Sequence, residues 1–416
     1  MSTDGSHTVS SAHQMRRVVV VGAGLAGLRA CQTLRDRGYD GALTLFGAES
    51  HLPYDRPPLS KQVLAGTWKP EQADLKGGES LGDLGVEVRL ETTATALDAG
   101  ARELTLKGGE RIGFDGLVVA TGANARLLPG ITGRPNVLTL RTIEDCLELR
   151  RVLERPGARL VLAGGGFIGL EVAATARRLG AEVAVVEPLS VPLERTVGPL
   201  VGGVVEAMHR DEGVELHLGE SLEAVDTDQD GTGVRCRLKS GDTVEGDVLL
   251  VGIGAVPSVA WLDGSGLDID ESGLRCDAAL VAGDRIVAAG DLASWPHPVI
   301  GERVRVEHRT NAGEQGEHAA GSLLASPTER RAFSPVHYVW SDQYEHKLQV
   351  LGAPGATDEA VVVEGSIEER RFVVAYGRDG RLTGVVGLSR PRALMAFRPL
   401  LETPASFEEA VALTQK

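Results

Sequence analysis

Two glycine-rich turns carry the first chemistry in this chain. Gly22-Ala23-Gly24-Leu25-Ala26-Gly27 follows the apolar run Val18–Val21, and Gly164-Gly165-Gly166-Phe167-Ile168-Gly169, 142 positions later, follows Leu160–Ala163. Each has the form strand, GxGxxG, helix. Glycines permit a tight turn and let the backbone approach a pyrophosphate, whose charge the helix N-terminus favours. Two copies point to two dinucleotides, between which electrons pass. Glu187 ends the strand after the second turn, where a carboxylate accepts hydrogen bonds from an adenosine ribose and repels a 2′-phosphate, so NADH is expected over NADPH. The equivalent position after the first turn is Gly47, and Glu49 is the nearest acid. It reads either as a ribose partner for FAD or as a surface turn residue.

Three further side chains stand out by context. Lys61 follows a loop with three prolines, Pro53-Tyr54-Asp55-Arg56-Pro57-Pro58, which fixes its backbone. The chain holds only 7 Lys among 43 basic residues. Glu171 lies two residues beyond Gly169, where a carboxylate near a pyrophosphate needs a cation close by. A Lys61–Glu171 pair between the two nucleotide sites would answer that need. Otherwise Lys61 is a surface lysine and Glu171 a favourable partner of the helix dipole. Asp291 ends the buried strand Ile286–Ala289 and Gly290, at the edge where ligands bind in α/β sheets, and reads as a ribityl partner or a helix cap. Trp340, one of 4 Trp, is either a site residue or an interface aromatic.

The bulk numbers narrow the class. A chain of 416 residues holds two or three domains. Its net charge of −15 argues against nucleic acid as a partner. The four cysteines, Cys31, Cys146, Cys236 and Cys276, contain no CxxC. That excludes dithiol redox chemistry and gives no metal-ligand spacing, as expected of incidental thiols in a reducing cytoplasm. No apolar run reaches membrane-spanning length. Residues 1–14 read as a disordered leader without a secretory signal.

The elements that must position these residues follow from periodicity and caps. The first βαβ unit has its helix over Leu25–Arg37, capped by Gly38, and its next strand at Ala42–Phe46. A short helix is expected after the proline loop, and Leu117–Ala120 reads as a buried strand broken by Thr121-Gly122. A helix over Ile143–Leu153 precedes the second βαβ unit. That unit has its strand at 159–163, a helix near 167–179 capped by Gly180, and a strand at 181–186. A further helix is expected near 197–210. Asp247–Gly252 echoes Leu117–Gly122, which suggests a duplicated architecture. The tail reads as short strands plus a helix near Ser406–Leu413.

These segments together resemble the FAD- and NADH-dependent ferredoxin reductases of bacterial oxygenase systems, the group of putidaredoxin and rubredoxin reductases. The resemblance rests on GAGLAG at 22–27, LPYDRPPLSK at 52–61, VVATGA at 118–123, LRTIED at 140–145, GGGFIGLEVAA at 164–174, GIGAVP at 252–257, AAGDLA at 288–293 and WSDQY at 340–344. It implies an α/β fold of two Rossmann-like, glutathione-reductase-like domains plus an α+β C-terminal domain. FAD would be bound by 15–123 with 247–328, NAD by 124–246, and the interface domain would be 329–416. It implies Lys61, Glu171 and Trp340 at the reacting centre, with Lys61 near flavin N5 and paired with Glu171. FAD would be held by Gly22, Gly24, Leu25, Ala26, Gly27, Glu49, Arg56, Lys61, Ala94, Ala120, Thr121, Gly122, Arg141, Gly290, Asp291, Arg309 and Trp340. NAD would be held by Gly164, Gly166, Phe167, Ile168, Gly169, Glu187, Arg195, Gly252, Ile253 and Gly254. No metal is expected, and monomer or dimer both remain open.

One departure is Arg309, which stands where many relatives carry Trp. It reads as a cation favouring an anionic reduced flavin or as a docking residue. Ferredoxins are usually acidic, so a reductase of charge −15 needs a local basic dock, for which Arg309, Lys347, Arg390, Arg392 and Arg398 are candidates. The expected activity passes electrons from NADH through FAD to a ferredoxin-type iron–sulfur protein serving a haem monooxygenase or dioxygenase. The alternatives are direct reduction of a small acceptor such as a quinone, and an NADH-sensing interaction protein.

Overall fold

The computed structural model describes residues 15–75, 79–131, 133–134, 136–228 and 233–413. The expected leader, 1–14, lies outside the described residues. Two compact units are present. The first takes in the described residues up to Asp55, Asp74–Ala123 and Pro257–Pro335; the second takes in Arg56–Ala73, Asn124–Val256 and the described residues from Val336 on. Among the described residues, the helices longer than ten residues are α1 (Leu25–Asp36), α2 (Ile143–Leu153), α3 (Phe167–Arg178), α4 (Glu194–Asp211) and α5 (Arg309–Leu324).

The first unit is built on a six-stranded sheet in the order Val281–Gly283, Ile286–Ala288, Gly116–Val119, Arg17–Val21, Ala42–Phe46, Val86–Arg89. All neighbours are parallel except the first pair. The unbroken apolar runs that mark these strands follow from burial on both faces: Val18, Val19, Val20, Leu117, Val118, Val119, Ile286, Val287 and Ala288 are all at 0% exposure. α1 packs closely on α5, and a Cβ on Gly316 would lie 2.3 Å from the Ala26 carbonyl oxygen.

The second unit repeats the theme with a five-stranded parallel sheet, ordered Glu215–Leu218, Glu182–Glu187, Arg159–Ala163, Val248–Val251, Val137–Leu138. Its second layer is an antiparallel sheet of Tyr338–Gln343, His346–Gly352, Arg381–Leu388, Arg371–Arg378 and Glu359–Ser366. Leu170 of α3 and Val197, Val201, Val205 and Met208 of α4 share one buried cluster with Leu348, Phe372, Val374 and Tyr376 of that sheet.

Several boundaries differ from the sequence expectation. The tail strands run six to eight residues and form one sheet rather than scattered short pieces. The helix expected after the proline loop starts inside it, as a 3-10 turn over Pro57–Ser60, because proline is tolerated at the first helical positions. α4 begins at Glu194, before its expected start. Non-helical Gly198, followed by Pro199, kinks it, which separates the first turn from the regular helix that follows.

Candidate functional site

The first glycine turn is shaped by near contacts that leave no room for side chains. Gly22 has φ +117°, and a Cβ there would lie 2.1 Å from the Ala120 carbonyl oxygen. A Cβ on Gly27 would meet the Gly22 carbonyl at 2.0 Å, whereas one on Gly24 would meet nothing within 4 Å. Gly22 and Gly27 are therefore demanded by the protein itself. Gly24, the N-cap of α1 with no side-chain cap, faces open space, which is the cradle a pyrophosphate requires.

Because the strands are parallel and in register, their C-terminal ends share one edge. That edge brings together Gly22, Ala120-Thr121-Gly122 and Gly290-Asp291. Thr121 Oγ donates to the Ser258 carbonyl at 2.8 Å, and Asp291 is 9% exposed. Glu49 follows the neighbouring strand, and its carboxylate accepts the Tyr54 hydroxyl at 2.5 Å. Leu25 and Ala26 lie in the first turn of α1. Ala94 is buried at the start of Ala94–Asp98, in an antiparallel sheet that follows the last parallel strand, Val86–Arg89; just before it, Thr92 N–H bonds the Gly47 carbonyl at 2.7 Å. Gln315 accepts the Gly290 N–H at 2.7 Å, while its buried Nε2 and the buried Oδ1 of Asn311 have no hydrogen-bond partner among the described residues. An edge with spare buried polar atoms and an open glycine suits FAD.

Arg309 opens α5, and its Nε lies 2.6 Å from Asp55 Oδ1. This arginine is neutralised by an acid from the proline loop. Lys347 pairs with Asp342 at 2.8 Å and Arg390 approaches Glu364 at 3.7 Å. Three of the five expected docking cations thus have acidic partners.

In the second unit the turn at Gly164 repeats the same geometry. Gly164 has φ +106°, and a Cβ would lie 2.5 Å from the Gly252 carbonyl; a Cβ on Gly169 would lie 2.5 Å from that of Gly164; Gly166 is open. Gly252-Ile253-Gly254 therefore lies against the turn, tied by Gly252 N–H to the Ala163 carbonyl at 2.8 Å. Phe167 and the 51% exposed Ile168 form the first turn of α3. Glu187 is buried at the strand end. It accepts Gly165 N–H at 2.6 Å on one oxygen and Leu189 N–H at 2.9 Å on the other. A carboxylate has about four acceptor sites, so two remain for ribose hydroxyls. Leu193 N–H bonds the Gly165 carbonyl at 3.1 Å, which brings the exposed Arg195 into the same neighbourhood. The turn, the spare acceptors and the open Gly166 suit NAD.

Lys61 and Glu171 meet in this same unit. Lys61 Nζ lies 2.6 Å from Glu171 Oε2, with the side chains 14% and 6% exposed. Ser60 Oγ donates to the same oxygen at 2.5 Å, and Ser341 Oγ donates to Oε1 at 2.8 Å. The loop that presents Lys61 is fixed by Lys61 N–H to the Pro58 carbonyl and by Thr175 Oγ to the Ser60 carbonyl. Arg56 donates to the Arg141 carbonyl, and Arg141 N–H reaches Asp145 beside the capping box of α2. Trp340 stacks on Tyr338, centroids 5.8 Å apart, on the strand whose buried face carries Ser341 and Gln343.

The four cysteines are buried free thiols. Burial pushes Cys31, Cys146 and Cys276 up to about 12 and Cys236 to about 11, so none is a ready nucleophile. Among the described residues no cluster of His, Cys, Asp or Glu could hold a metal, and no helix is long and apolar enough to cross a membrane. Asp55, Ser60, Ser341, Gln343 and His209 went unnoticed as site residues. The available signal was polar Ser341 and Gln343 alternating on one face of a strand.

Comparison with known proteins identifies the family. A family model described as pyridine nucleotide-disulphide oxidoreductase matches residues 16–316, and one described as reductase C-terminal matches 338–415. The chain is 35% identical over 398 residues to the rhodocoxin reductase of Rhodococcus erythropolis, covering 94% of this chain and 91% of that protein. It is 36% identical over 390 residues to the ferredoxin–NAD(+) reductase component of the anthranilate 1,2-dioxygenase system of Burkholderia cepacia, covering 93% and 94%. Among solved structures, the covalent putidaredoxin reductase–putidaredoxin complex matches with a TM-score of 0.88 at 30% identity, covering 96% of this chain and 99% of that one.

Proposed function

The chain belongs to the pyridine nucleotide-disulphide oxidoreductase family, and from that premise we propose that it carries electrons from NADH through FAD to a ferredoxin-type iron–sulfur protein that serves an oxygenase. Bound FAD would supply the redox chemistry, converting the two-electron hydride of NADH into single electrons for two oxidised ferredoxins, with NAD⁺ and one proton released. The observation that carries the reading is the pairing of two glycine turns with one buried Lys61–Glu171 ion pair in a chain without a cysteine pair. With no dithiol, electrons have no second station in the protein and must leave directly for an external acceptor.

The chain's own residues bind and orient. In this reading 15–123 with 247–328 hold FAD, 124–246 hold NAD, and 329–416 receive the ferredoxin. Gly22, Gly24 and Gly27 admit the FAD pyrophosphate, and Asp291 and Glu49 accept hydroxyls. Glu187 accepts the NAD ribose. Lys61 holds a positive charge where the hydride crosses, and Glu171 keeps that charge in place. Trp340 contributes an aromatic surface to partner docking. The reducing cytoplasm suits four thiols that remain unpaired.

The test is NADH-driven reduction of cytochrome c by the FAD-loaded protein. Turnover should depend on an added [2Fe–2S] ferredoxin. Equal rates without ferredoxin would transfer the assignment to a small-acceptor reductase.

A further inference from the structure

Glu171 is the end point of a line of donors that the hydride-transfer reading does not use. An ionised carboxylate only accepts, so Ser341 Oγ must donate its proton to Glu171 Oε1 across 2.8 Å. Ser341 Oγ is then left to accept, and Gln343 Nε2 donates to it at 3.0 Å. That orients the amide, so Gln343 Oε1 faces His209 Nε2 at 2.9 Å and must accept from it. His209 therefore carries its proton on Nε2, and Nδ1 accepts the Tyr344 hydroxyl at 3.0 Å. Every polarity along the line is fixed by the carboxylate at its end. Ser341, Gln343 and His209 are 0%, 1% and 0% exposed, so water cannot replace any link.

The line joins three elements of the second unit: Ser341 and Gln343 on the strand Tyr338–Gln343, His209 in the last turn of α4, and Glu171 in α3. Without Ser341, Oε1 would be a buried acceptor with no donor among the described residues, and the carboxylate would be free to rotate away from Lys61. Ser60 and Lys61 both act on Oε2, so among the described residues the Ser341 line is what holds the other oxygen. Neighbouring bonds of the same sense polarise one another, which strengthens the hold on Glu171.

We propose that Ser341, Gln343 and His209 are positioning residues that orient Glu171, and through it Lys61, for hydride transfer. The proposal rests on the reading that the Lys61–Glu171 pair serves that step.

The experiment uses the full-length FAD-loaded protein and follows flavin bleaching by NADH in a stopped-flow instrument. Glu171→Gln tests the underlying reading and should slow bleaching strongly. Ser341→Ala and Gln343→Met should slow it about tenfold with the NADH dissociation constant unchanged, and Ser341→Thr should restore it. Adding Ser341→Ala to Glu171→Gln should cause no further loss, because both act through one carboxylate. A second readout is independent of turnover. In protein labelled with ¹⁵N at the histidine rings, His209 should show the neutral Nε2–H form with and without FAD, and its ring shifts should move in Gln343→Met. If Ser341→Ala does not fold, Ser341→Cys, of similar size with a weaker donor, carries the same expected slowing. Wild-type rates in the Ser341 and Gln343 variants beside a slow Glu171→Gln would overturn the proposal alone. A wild-type rate in Glu171→Gln would overturn the reading beneath it.

Discussion

Gly22 and Gly24 sit two residues apart and should fail for different reasons when given a methyl group. At Gly22 the added carbon runs into the Ala120 backbone, in a φ region closed to L-residues. Gly22→Ala should cost more than about 3 kcal/mol and yield little folded protein, read by urea unfolding. At Gly24 the methyl meets no protein atom, and φ −93° suits alanine. Gly24→Ala should keep a wild-type melting curve after FAD removal yet bind FAD about 100-fold more weakly, because the methyl stands where the pyrophosphate approaches. Wild-type FAD affinity in Gly24→Ala would sink the assignment of this turn. Glu187 governs the other nucleotide. Glu187→Ala removes the acceptor of Gly165 and Leu189 N–H and the charge that repels a 2′-phosphate. The preference for NADH over NADPH in kcat/KM should fall at least about tenfold. Removing Arg195 as well should cancel any gain with NADPH, since that exposed cation is the nearest counter-charge the loop offers.

At the scale of elements, Arg309 sits badly for its helix. A cation in the first turn of α5 opposes the helix dipole, and Asp55 offsets that by pairing with it. Asp55→Asn should therefore destabilise the first unit by about 0.5–1 kcal/mol, and Arg309→Gln in that background should recover most of the loss, both read by urea unfolding. The sequence showed Arg309 as an oddity but not its partner, because the two lie 254 residues apart and nothing in either segment's pattern ties them. The strands and helices around the glycine turns were legible for a different reason. Unbroken apolar runs and glycine caps are local signals, and α2 over Ile143–Leu153 was bounded by its own Thr142–Asp145 capping box. Glu171 and Lys61 were named from local context and their pairing was expected from the family resemblance, because nothing in either segment's own pattern ties two residues 110 positions apart. The donor line behind Glu171 was hidden altogether. A serine, a glutamine and a histidine on separate elements look like ordinary polar residues until the fold buries them together.

At the scale of the molecule, acidity separates two opposing effects. A chain of net charge −15 and isoelectric point near 5.2 repels itself least near that pH, which taken alone would place maximal stability there. Buried histidines pull the other way. Burial holds His209 down to about 4, with the Gln343 hydrogen bond opposing, and holds His308 down to about 4, with Asp291 opposing. In the unfolded chain a histidine takes its proton near about 6.5. Between those values the unfolded state binds more protons than the folded one, so stability rises with pH across that window and is complete above it. At about pH 5 the His209 imbalance alone removes about 2 kcal/mol relative to neutral pH. Repulsion among mostly exposed carboxylates is screened by salt and spread over the surface, so the buried-histidine effect should dominate in about 0.15 M salt. Urea unfolding should therefore show stability falling from about pH 7 to about pH 5, through the isoelectric point, with His209→Gln flattening that slope. A maximum near the isoelectric point would show that surface charge, and not the buried imidazole within the Glu171 line, sets the acid limit of this fold.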